Sequence, residues 1–205
     1  MTTLILTHEQ ADFDAVASLW ATHRLHTHAT PVLPRRVNRN VQAFLTLYGE
    51  HFKFTETEDL SRHRVDDVII VDAQSTSSVK GMNAKTRLTV IDHHPLNGVA
   101  ATGANTTLLI ERMIESLLPI SPIEATLFLI GIYEDTGALT YLTTTARDAR
   151  ATAHLIECSA QLDIVREFLN HPLSPAQKKL HDQLLNATET HLINGQPVTL
   201  CAIDG

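Results

Sequence analysis

The chain has 205 residues, enough for one domain with a sizeable core, and 43% of them are hydrophobic. A formal net charge of −7 disfavours non-specific binding to nucleic acid or to anionic membranes, because both would repel an acidic protein. No apolar run approaches the roughly 20 residues of a membrane span, and Cys158 and Cys201 show no disulfide or metal-knuckle spacing. The sequence therefore predicts a cytoplasmic protein with reduced thiols and no membrane partner.

The first predicted elements are a short strand over residues 3–7 and a helix over about 15–28. His8, Asp12 and Asp14 lie in the turn between them, at a spacing that is typical of a metal site. Asp14 alone can be explained as the N-cap of the helix. That explanation does not account for His8 and Asp12, and the 12 histidines of the chain are a further hint of metal.

A basic segment follows the second predicted strand, which covers residues 31–34, and leads into a helix over about 40–49. Guanidinium groups suit phosphate oxygens, so Arg35, Arg36 and Asn40 are candidate substrate-binding residues. The alternative is that this segment is only the solvated start of a helix. A further short strand is predicted over residues 51–55, and a polar connection over 56–64.

Two apolar strands then end in side chains that bind metals. The strand over 68–73 reaches Asp72 near its end, and the strand over 87–92 leads into Asp92-His93-His94. A short helix near 76–81 between them predicts a right-handed crossover and a parallel sheet. His8, Asp72 and the second cluster would then project from the same carboxyl edge, where α/β sheets bind their ligands.

From Asn105 onward the pattern is helical, over about 105–118, from 122 to about 135, and over 147–158, 161–170 and 174–190. Ser121 and Glu124 predict a capping box with Pro122 at the first helical position. Asp135 lies near the end of that apolar helix, where a buried acid needs a partner or a metal; a surface turn is the alternative. A turn at residues 194–195 and a strand over 198–203 follow, and this strand is expected to have no partner.

Four motifs make the chain resemble the DHH phosphoesterase family. That family takes in single-strand-specific exonucleases, oligoribonucleases, cyclic-dinucleotide phosphodiesterases and manganese-dependent family II pyrophosphatases. The segment from Arg35 to Asn40 looks most similar to DHH domains fused ahead of CBS and tRNA-nucleotidyltransferase-like (poly(A)-polymerase-like) domains. The motifs are His8-x-x-x-Asp12-x-Asp14, Val71-Asp72, Asp92-His93-His94 and Gly131-Ile132-Tyr133-Glu134-Asp135-Thr136-Gly137.

The resemblance implies an α/β fold, with a three-layer αβα catalytic domain built on a parallel sheet over residues 1–160. It also implies a helical linker over 161–190 and, over 191–205, the start of a truncated DHHA1-like substrate-binding domain. Weak or absent activity is expected of the chain alone, because substrate contacts from that second domain would be missing. Covalent fusion to further domains and a homodimer are expected as well.

The resemblance also implies a site with two divalent metal ions, Mn²⁺ or alternatively Mg²⁺. Asp72 would bridge the ions, His94 would contact the scissile phosphate, and Asp92 would orient an adjacent imidazole; these three are the candidate catalytic residues. The first ion would be held by His8, Asp12 and Asp72, and the second by Asp14, Asp72, His93 and Asp135.

The implied reaction is hydrolysis of phosphodiester or phosphomonoester bonds in short single-stranded oligonucleotides or small nucleotides. A nucleotide-sensing regulatory domain of a larger protein and a manganese-dependent pyrophosphatase remain as alternatives. A hydrolase with a nucleophile triad is disfavoured, since no Gly-x-Ser-x-Gly elbow occurs in the sequence. A dinucleotide oxidoreductase is disfavoured because no Gly-x-Gly-x-x-Gly follows the first strand.

Overall fold

The computed structural model describes residues 1–61, 63–75, 78–94, 102–169 and 174–202. The chain divides into two compact units, Met1–Leu169 and Asn170–Gly205, here called unit 1 and unit 2. None of the described helices combines the length and the apolarity needed to cross a membrane.

Unit 1 is built on a five-stranded parallel sheet with the strand order β3-β2-β1-β4-β5. In the pairing of the three strands that lead to the motifs, Leu6 lies beside Ile70 and Ile70 beside Val90. The chain therefore leaves β1, β4 and β5 along one edge of the sheet. The strands are β1 Thr3–Leu6, β2 Thr30–Leu33, β3 Thr55–Glu56, β4 Asp67–Val71 and β5 Arg87–Ile91.

The α-helices of the described part of unit 1 cover one face of this sheet. The main hydrophobic cluster joins the inward side chains of the strands to all of these helices, with Phe13, Phe44 and Phe168 in edge-to-face contact at its centre. The helices are α1 Phe13–Leu25, α2 Arg39–Tyr48, α3 Asn105–Glu115, α4 Pro122–Thr136, α5 Ala146–Glu157 and α6 Leu162–Leu169.

Helices α1 and α4 are apolar on nearly all sides because each is enclosed by other elements. The buried carboxylate of Glu124 connects them: it accepts a 2.8 Å hydrogen bond from Trp20 Nε1 and pairs with Arg24. Glu124 also forms a capping box with Ser121, so the capping box predicted there is confirmed. The start of α4 is thereby fixed against α1, and both helices lead to the edge of the sheet where the motifs lie.

A smaller cluster of apolar side chains covers the opposite face of the sheet, including Leu4, Val68 and Ile70. The predicted α/β class with a parallel sheet flanked by helices is confirmed. In the described residues, the third layer of the predicted αβα arrangement consists of connecting segments that contribute Leu60 and Met82, rather than of α-helices.

Part of the crossover between β4 and β5 was predicted wrongly. A helix was expected over 76–81, but residues 78–81 are coil and turn, while 76 and 77 lie outside the described residues. Gly81 has a φ of 90°, and a Cβ there would lie 2.1 Å from the carbonyl oxygen of His63. A right-handed helix is incompatible with that backbone conformation.

Unit 2 contains α7 (Pro175–Asn186) and an antiparallel hairpin of β6 (Thr188–Ile193) and β7 (Gln196–Cys201). Two predictions are therefore wrong: the helix over 174–190 ends four residues early, and the last strand does have a partner. The predicted turn is confirmed, because Asn194 and Gly195 have φ values of 52° and 78°, as tight hairpin turns require. The domain assignments over 161–205 stay predictions.

We expect Gly131→Ala to destabilise unit 1. Gly131 lies where α4 crosses α1, and a Cβ there would come within 3.0 Å of Ala17 Cβ and of the carbonyl oxygen of Phe13. Forcing these helices apart should lower the free energy of unfolding by about 1–3 kcal/mol, which urea denaturation would measure. As the control, Gly49→Ala should be neutral or stabilising by about 0.4–1 kcal/mol, because Gly49 has helical φ and ψ and a Cβ there would lie 3.9 Å from Leu45 Cβ, an ordinary contact distance. Equal effects would show that the two helices do not touch at Gly131.

Candidate metal centre

The turn after β1 presents His8 and Asp12 to the edge of the sheet. His8 Nδ1 lies 2.9 Å from the carbonyl oxygen of Glu9 and donates to it, which leaves Nε2 directed at Asp72 Oδ2 over 3.4 Å. Asp12 is the N-cap of α1, and its Oδ1 accepts the Ala15 N–H at 3.0 Å. The N-cap is therefore Asp12, and the alternative explanation of Asp14 as a cap is wrong.

Asp14 is fully buried in the first turn of α1 and is held by the start of another helix. Its two carboxylate oxygens accept the N–H groups of Asn105 and Thr106, at 2.7 and 2.9 Å. These are the first residues of α3, whose N-cap, Ala104, has no side chain that could satisfy them. Burial, followed by the nearby carboxylates of Asp72 and Asp135, raises the pKa of Asp14 well above its ordinary value.

Asp72 lies at the centre of the site, directly after β4. Its φ of 49° is in the left-handed region, which aspartate tolerates better than most residues, and its N–H donates to the carbonyl oxygen of Ile91. One carboxylate oxygen faces His8, and the other lies 3.5 Å from His93 Nε2. Burial favours a higher pKa, but the two imidazoles outweigh burial and lower the pKa of Asp72.

His93, two residues after β5, is almost fully buried among carboxylates. Its Nδ1 lies 3.3 Å from the carbonyl oxygen of Thr102, so the hydrogen on Nδ1 points away from the acids. Its Nε2 lies 3.3 Å from Asp135 Oδ2 and 4.0 Å from Asp14 Oδ2. Burial lowers the pKa of His93, but Asp135 and Asp72 outweigh that effect and raise the pKa to about 11.

Asp135 approaches the site from the last turn of α4, which ends at Gly137 in the left-handed conformation. Its side chain is 26% exposed, so it is neither fully buried nor part of an open surface turn. The C-terminal end of a helix carries partial negative charge and disfavours a carboxylate. A cation beside Asp135 would relieve both this effect and the repulsion from the other acids.

Three groups of side chains could hold a metal ion, since the ligand atoms within each group lie within 4.8 Å of one another. Asp72 belongs to two of these groups and His93 to two, so the two residues together connect all three groups. The structure thus brings together every residue predicted to bind metal. The groups are Asp72, Asp92, His93 and His94; His8, Asp12 and Asp72; and Asp14, His93 and Asp135.

The polar atoms at the centre of this site fit a bound cation. Asp72 Oδ1 and His93 Nε2 are buried and make no hydrogen bond within the described part of the chain. A buried carboxylate oxygen facing the lone pair of an imidazole is unfavourable unless a proton or a cation lies between them. Oxygen and imidazole donors without thiolate suit Mn²⁺ or Mg²⁺.

Asp92 and His94 form a pair at the outer side of the site. His94 is 58% exposed, and its Nδ1 lies 2.7 Å from Asp92 Oδ1. The ring of His94 also lies 4.3 Å from the ring of His93, measured between centroids. Asp92 therefore fixes the orientation of His94, whose Nε2 is left available to an incoming ligand.

The basic segment after β2 runs beside the turn that carries His8 and Asp12. The Gln10 N–H donates to the Arg36 carbonyl oxygen at 2.8 Å, and the Asn38 N–H donates to the Ala11 carbonyl oxygen at 2.9 Å. Arg35 and Arg36 line an open groove at the start of α2. Asn40, in the first turn of α2, is not among the residues that line this groove, whereas Asn38 and Arg39 are.

The sequence analysis missed two supporting residues. Asn105 is buried at the start of α3. In the amide orientation that satisfies both its polar atoms, the nitrogen donates to the Ile91 carbonyl oxygen and the oxygen accepts from Ser18 Oγ. Glu134 accepts the Phe13 N–H at 2.7 Å, and burial raises its pKa to about 7. Glu134 lies in the fourth motif, but the motif assigns it no role, and nothing marked Asn105 except the start of a helix.

The DHH family, N-terminal domain, matches residues 2–132 of the chain. The A-adding tRNA nucleotidyltransferases of Geobacter sulfurreducens and Aquifex aeolicus are each 30% identical to the chain, over 96% of it. The chain spans about a quarter of their length, 24% in each case. The bifunctional oligoribonuclease and PAP phosphatase NrnA of Mycoplasma genitalium is 28% identical over 65% of the chain and 45% of its own length.

Two solved structures share the fold. A family II inorganic pyrophosphatase of Methanococcus jannaschii has a TM-score of 0.64 at 19% identity, over 98% of this chain and 71% of that one. An exopolyphosphatase-related protein of Bacteroides fragilis has a TM-score of 0.67 at 17% identity, over 93% of this chain and 62% of that one. The match of the DHH family model confirms the family predicted from the four motifs: the chain belongs to the DHH family, whose N-terminal domain matches residues 2–132.

Proposed function

We propose that the chain is a divalent-metal-dependent phosphoesterase that hydrolyses phosphodiester or phosphomonoester bonds in short oligonucleotides or small nucleotides. One observation carries this proposal: Asp72 directs one carboxylate oxygen at His8 Nε2 and the other at His93 Nε2. In both imidazoles the opposite nitrogen is occupied by a backbone carbonyl oxygen. Each Nε2 is therefore oriented to share a cation with Asp72.

Two ions would be held by the six residues that converge here, with Asp72 serving both. When bound, two divalent ions neutralise the carboxylates, activate water and stabilise the charge that develops in an in-line displacement at phosphorus. Mn²⁺ is the ion we propose, with Mg²⁺ as the alternative. The ligands would be His8, Asp12 and Asp72 for one ion, and Asp14, Asp72, His93 and Asp135 for the other.

The remaining residues would bind and orient the substrate. His94 is exposed and held by Asp92, so its Nε2 can contact the scissile phosphate from the solvent side. Arg35 and Arg36 lie beside the turn that carries the first metal ligands and would hold further phosphate oxygens. No structural observation assigns such a contact to Asn40, which we keep as a weaker candidate from its place after the arginines.

The comparisons support the chemistry at the level of the family. The Mycoplasma genitalium relative is named for both oligoribonuclease and PAP phosphatase activity, which agrees with a substrate that contains a nucleotide. The match to a quarter of two much longer proteins favours covalent fusion to further domains. The structural likeness to a pyrophosphatase shows the fold alone, so hydrolysis of pyrophosphate is left for experiment. A cytoplasmic location, a homodimer and a truncated substrate-binding domain in unit 2 stay predictions.

A hydrolysis panel tests the proposal. We expect Mn²⁺-dependent release of mononucleotides from dinucleotides or of phosphate from nucleoside 3′,5′-bisphosphates, abolished by a chelator and restored by excess Mn²⁺. Cyclic dinucleotides and inorganic pyrophosphate complete the panel. Turnover of pyrophosphate alone would overturn the nucleotide assignment. Binding of nucleotides without turnover of any substrate would favour the nucleotide-sensing alternative.

We expect Asp72→Ala to remove Mn²⁺-dependent turnover, by roughly a thousandfold or more, because one carboxylate serves both ions. Circular dichroism should show an unchanged fold, since Asp72 lies after the last residue of β4. As a control, Asp163→Asn removes an exposed carboxylate on α6 and should leave turnover unchanged. Near-normal turnover by the Asp72 variant would contradict a shared metal ligand.

Metal binding should release protons and should strengthen as pH rises. The carboxylate of Asp72 is the main cause that raises the pKa of His8 to about 9, and the pKa of His93 is about 11. Both imidazoles therefore carry a proton at pH 7 without metal. A bound metal requires the neutral imidazoles, so about two protons should leave at pH 7. Calorimetric titration of Mn²⁺ in two buffers that differ in ionisation enthalpy measures this number.

Variants identify the source of these protons. His8→Gln should reduce the release by about one proton. His51→Gln alters a partly exposed imidazole outside the site and should leave the number of released protons unchanged. An affinity that falls as pH rises from 6 to 8 would contradict the assignment of His8 and His93 as ligands.

A further inference from the structure

A cavity of about 580 Å³ adjoins the candidate metal centre. It lies at the carboxyl edge of the sheet, between the residues that follow β1 and β2 and the described residues Ser75, Ser78, Val79 and Lys80. His8 is one of the lining residues, so the cavity is continuous with the side chain that faces Asp72. A volume of this size is typical of small-molecule sites, and it exceeds what a single phosphate would fill.

The lining of the cavity combines apolar and polar surfaces. Leu6, Val32 and Val79 supply an apolar part, and the first two are almost completely buried in the smaller hydrophobic cluster. Thr7 and Thr57 supply hydroxyl groups, which donate to backbone carbonyl oxygens at 2.8 and 2.7 Å and keep lone pairs for a ligand. A wholly inorganic ligand would leave the apolar part without a partner.

Two cations lie among the lining residues. Lys80 Nζ donates to the backbone carbonyl oxygen of Glu58 at 2.9 Å, a neutral acceptor that does not cancel its charge. Arg35 is paired with the Glu58 carboxylate at 3.1 Å, but both side chains are exposed, and such pairs are weak and exchangeable. Among the described lining residues Glu9 is the only acidic one, and Lys80 is a lining cation for which the described part of the chain shows no carboxylate partner.

We propose that this cavity binds the nucleoside part of the substrate, with Lys80 contacting a second phosphate beyond the one at the metal centre. The inference rests on the proposed function. The apolar part suits a base, the hydroxyls suit a ribose, and the ammonium group suits a phosphate oxygen. The ligand is therefore a nucleotide with phosphates on both sides of the ribose, as in a nucleoside 3′,5′-bisphosphate or within an oligonucleotide.

Two variants and a control test this assignment. Lys80→Ala removes the charge, and Ser78→Phe places a ring in the cavity from an exposed lining position. Lys85→Ala is the matched control, because Lys85 is exposed on the same connection and does not line the cavity. Each protein is assayed with Mn²⁺ on adenosine 3′,5′-bisphosphate, on a dinucleotide and on p-nitrophenyl phosphate, which has no ribose and no second phosphate.

We expect Lys80→Ala to lower kcat/KM for the nucleotide substrates about tenfold, the scale of a lost charge-assisted hydrogen bond. Ser78→Phe should lower both nucleotide values at least as much, while p-nitrophenyl phosphate and the control stay within about twofold of the parent. A Lys80 effect on the bisphosphate alone would assign the contact to a terminal phosphate, and one on the dinucleotide alone to an internucleotide phosphate.

Unchanged nucleotide turnover in both cavity variants would overturn the inference while leaving the proposed function intact. An equal loss on p-nitrophenyl phosphate would also overturn it, because the cavity would then only support the metal centre. If the parent turns over no substrate, the proposed function fails. The dissociation constant of adenosine 3′,5′-bisphosphate, measured with Mn²⁺, then tests the cavity site. A tenfold weaker affinity in Lys80→Ala supports the site. No binding to the parent, or an unchanged affinity in the variant, refutes it.

Discussion

Repulsion among buried carboxylates at one edge of the sheet is the constraint on which unit 1 depends. Asp12 and Asp14 are each held by the N–H groups at the start of a helix, where partial positive charge favours an anion. Asp72 is balanced by imidazoles on both sides. Asp135 has the opposite environment, since it lies at the negative end of α4. The negative charge of these carboxylates is therefore compensated everywhere except toward the centre of the site, which is where a cation would bind.

The same helices that build the core also position these acids. Glu134 accepts the N–H of Phe13, the residue between Asp12 and Asp14, so α4 fixes the start of α1 through a single hydrogen bond. The close approach of the two helices at Gly131 brings that contact within reach. A change in how α1 lies against α4 would displace ligands on both helices at once, so stability and ligand geometry are coupled in this fold.

The sequence predicts most of the fold and the residues that converge at the candidate metal centre because their signals are local. An apolar strand that stops at an acid, and a capping box at Ser121, are each legible within a few residues. Contacts between distant residues are not, and the hydrogen bond from Asn105 to Asp14 spans 91 positions. The predicted helix runs on into residues 188–190, the first half of β6, because this stretch is polar; only pairing with β7 defines it as a strand. Likewise, no local pattern reveals that the crossover beside Gly81 is not helical.

Without metal, the arrangement of charges explains how the fold can hold such a site together. Both imidazoles of the candidate site have raised pKa values, about 9 for His8 and about 11 for His93, so each binds a proton at neutral pH. These protons stabilise the folded state fully below the ordinary pKa of histidine, and their contribution is lost as pH rises through 9 to 11. A divalent cation bound as proposed would thus compete with protons for the same two nitrogen atoms beside Asp72. Burying these carboxylates without a cation is unfavourable. The same carboxylates make the site selective for a cation.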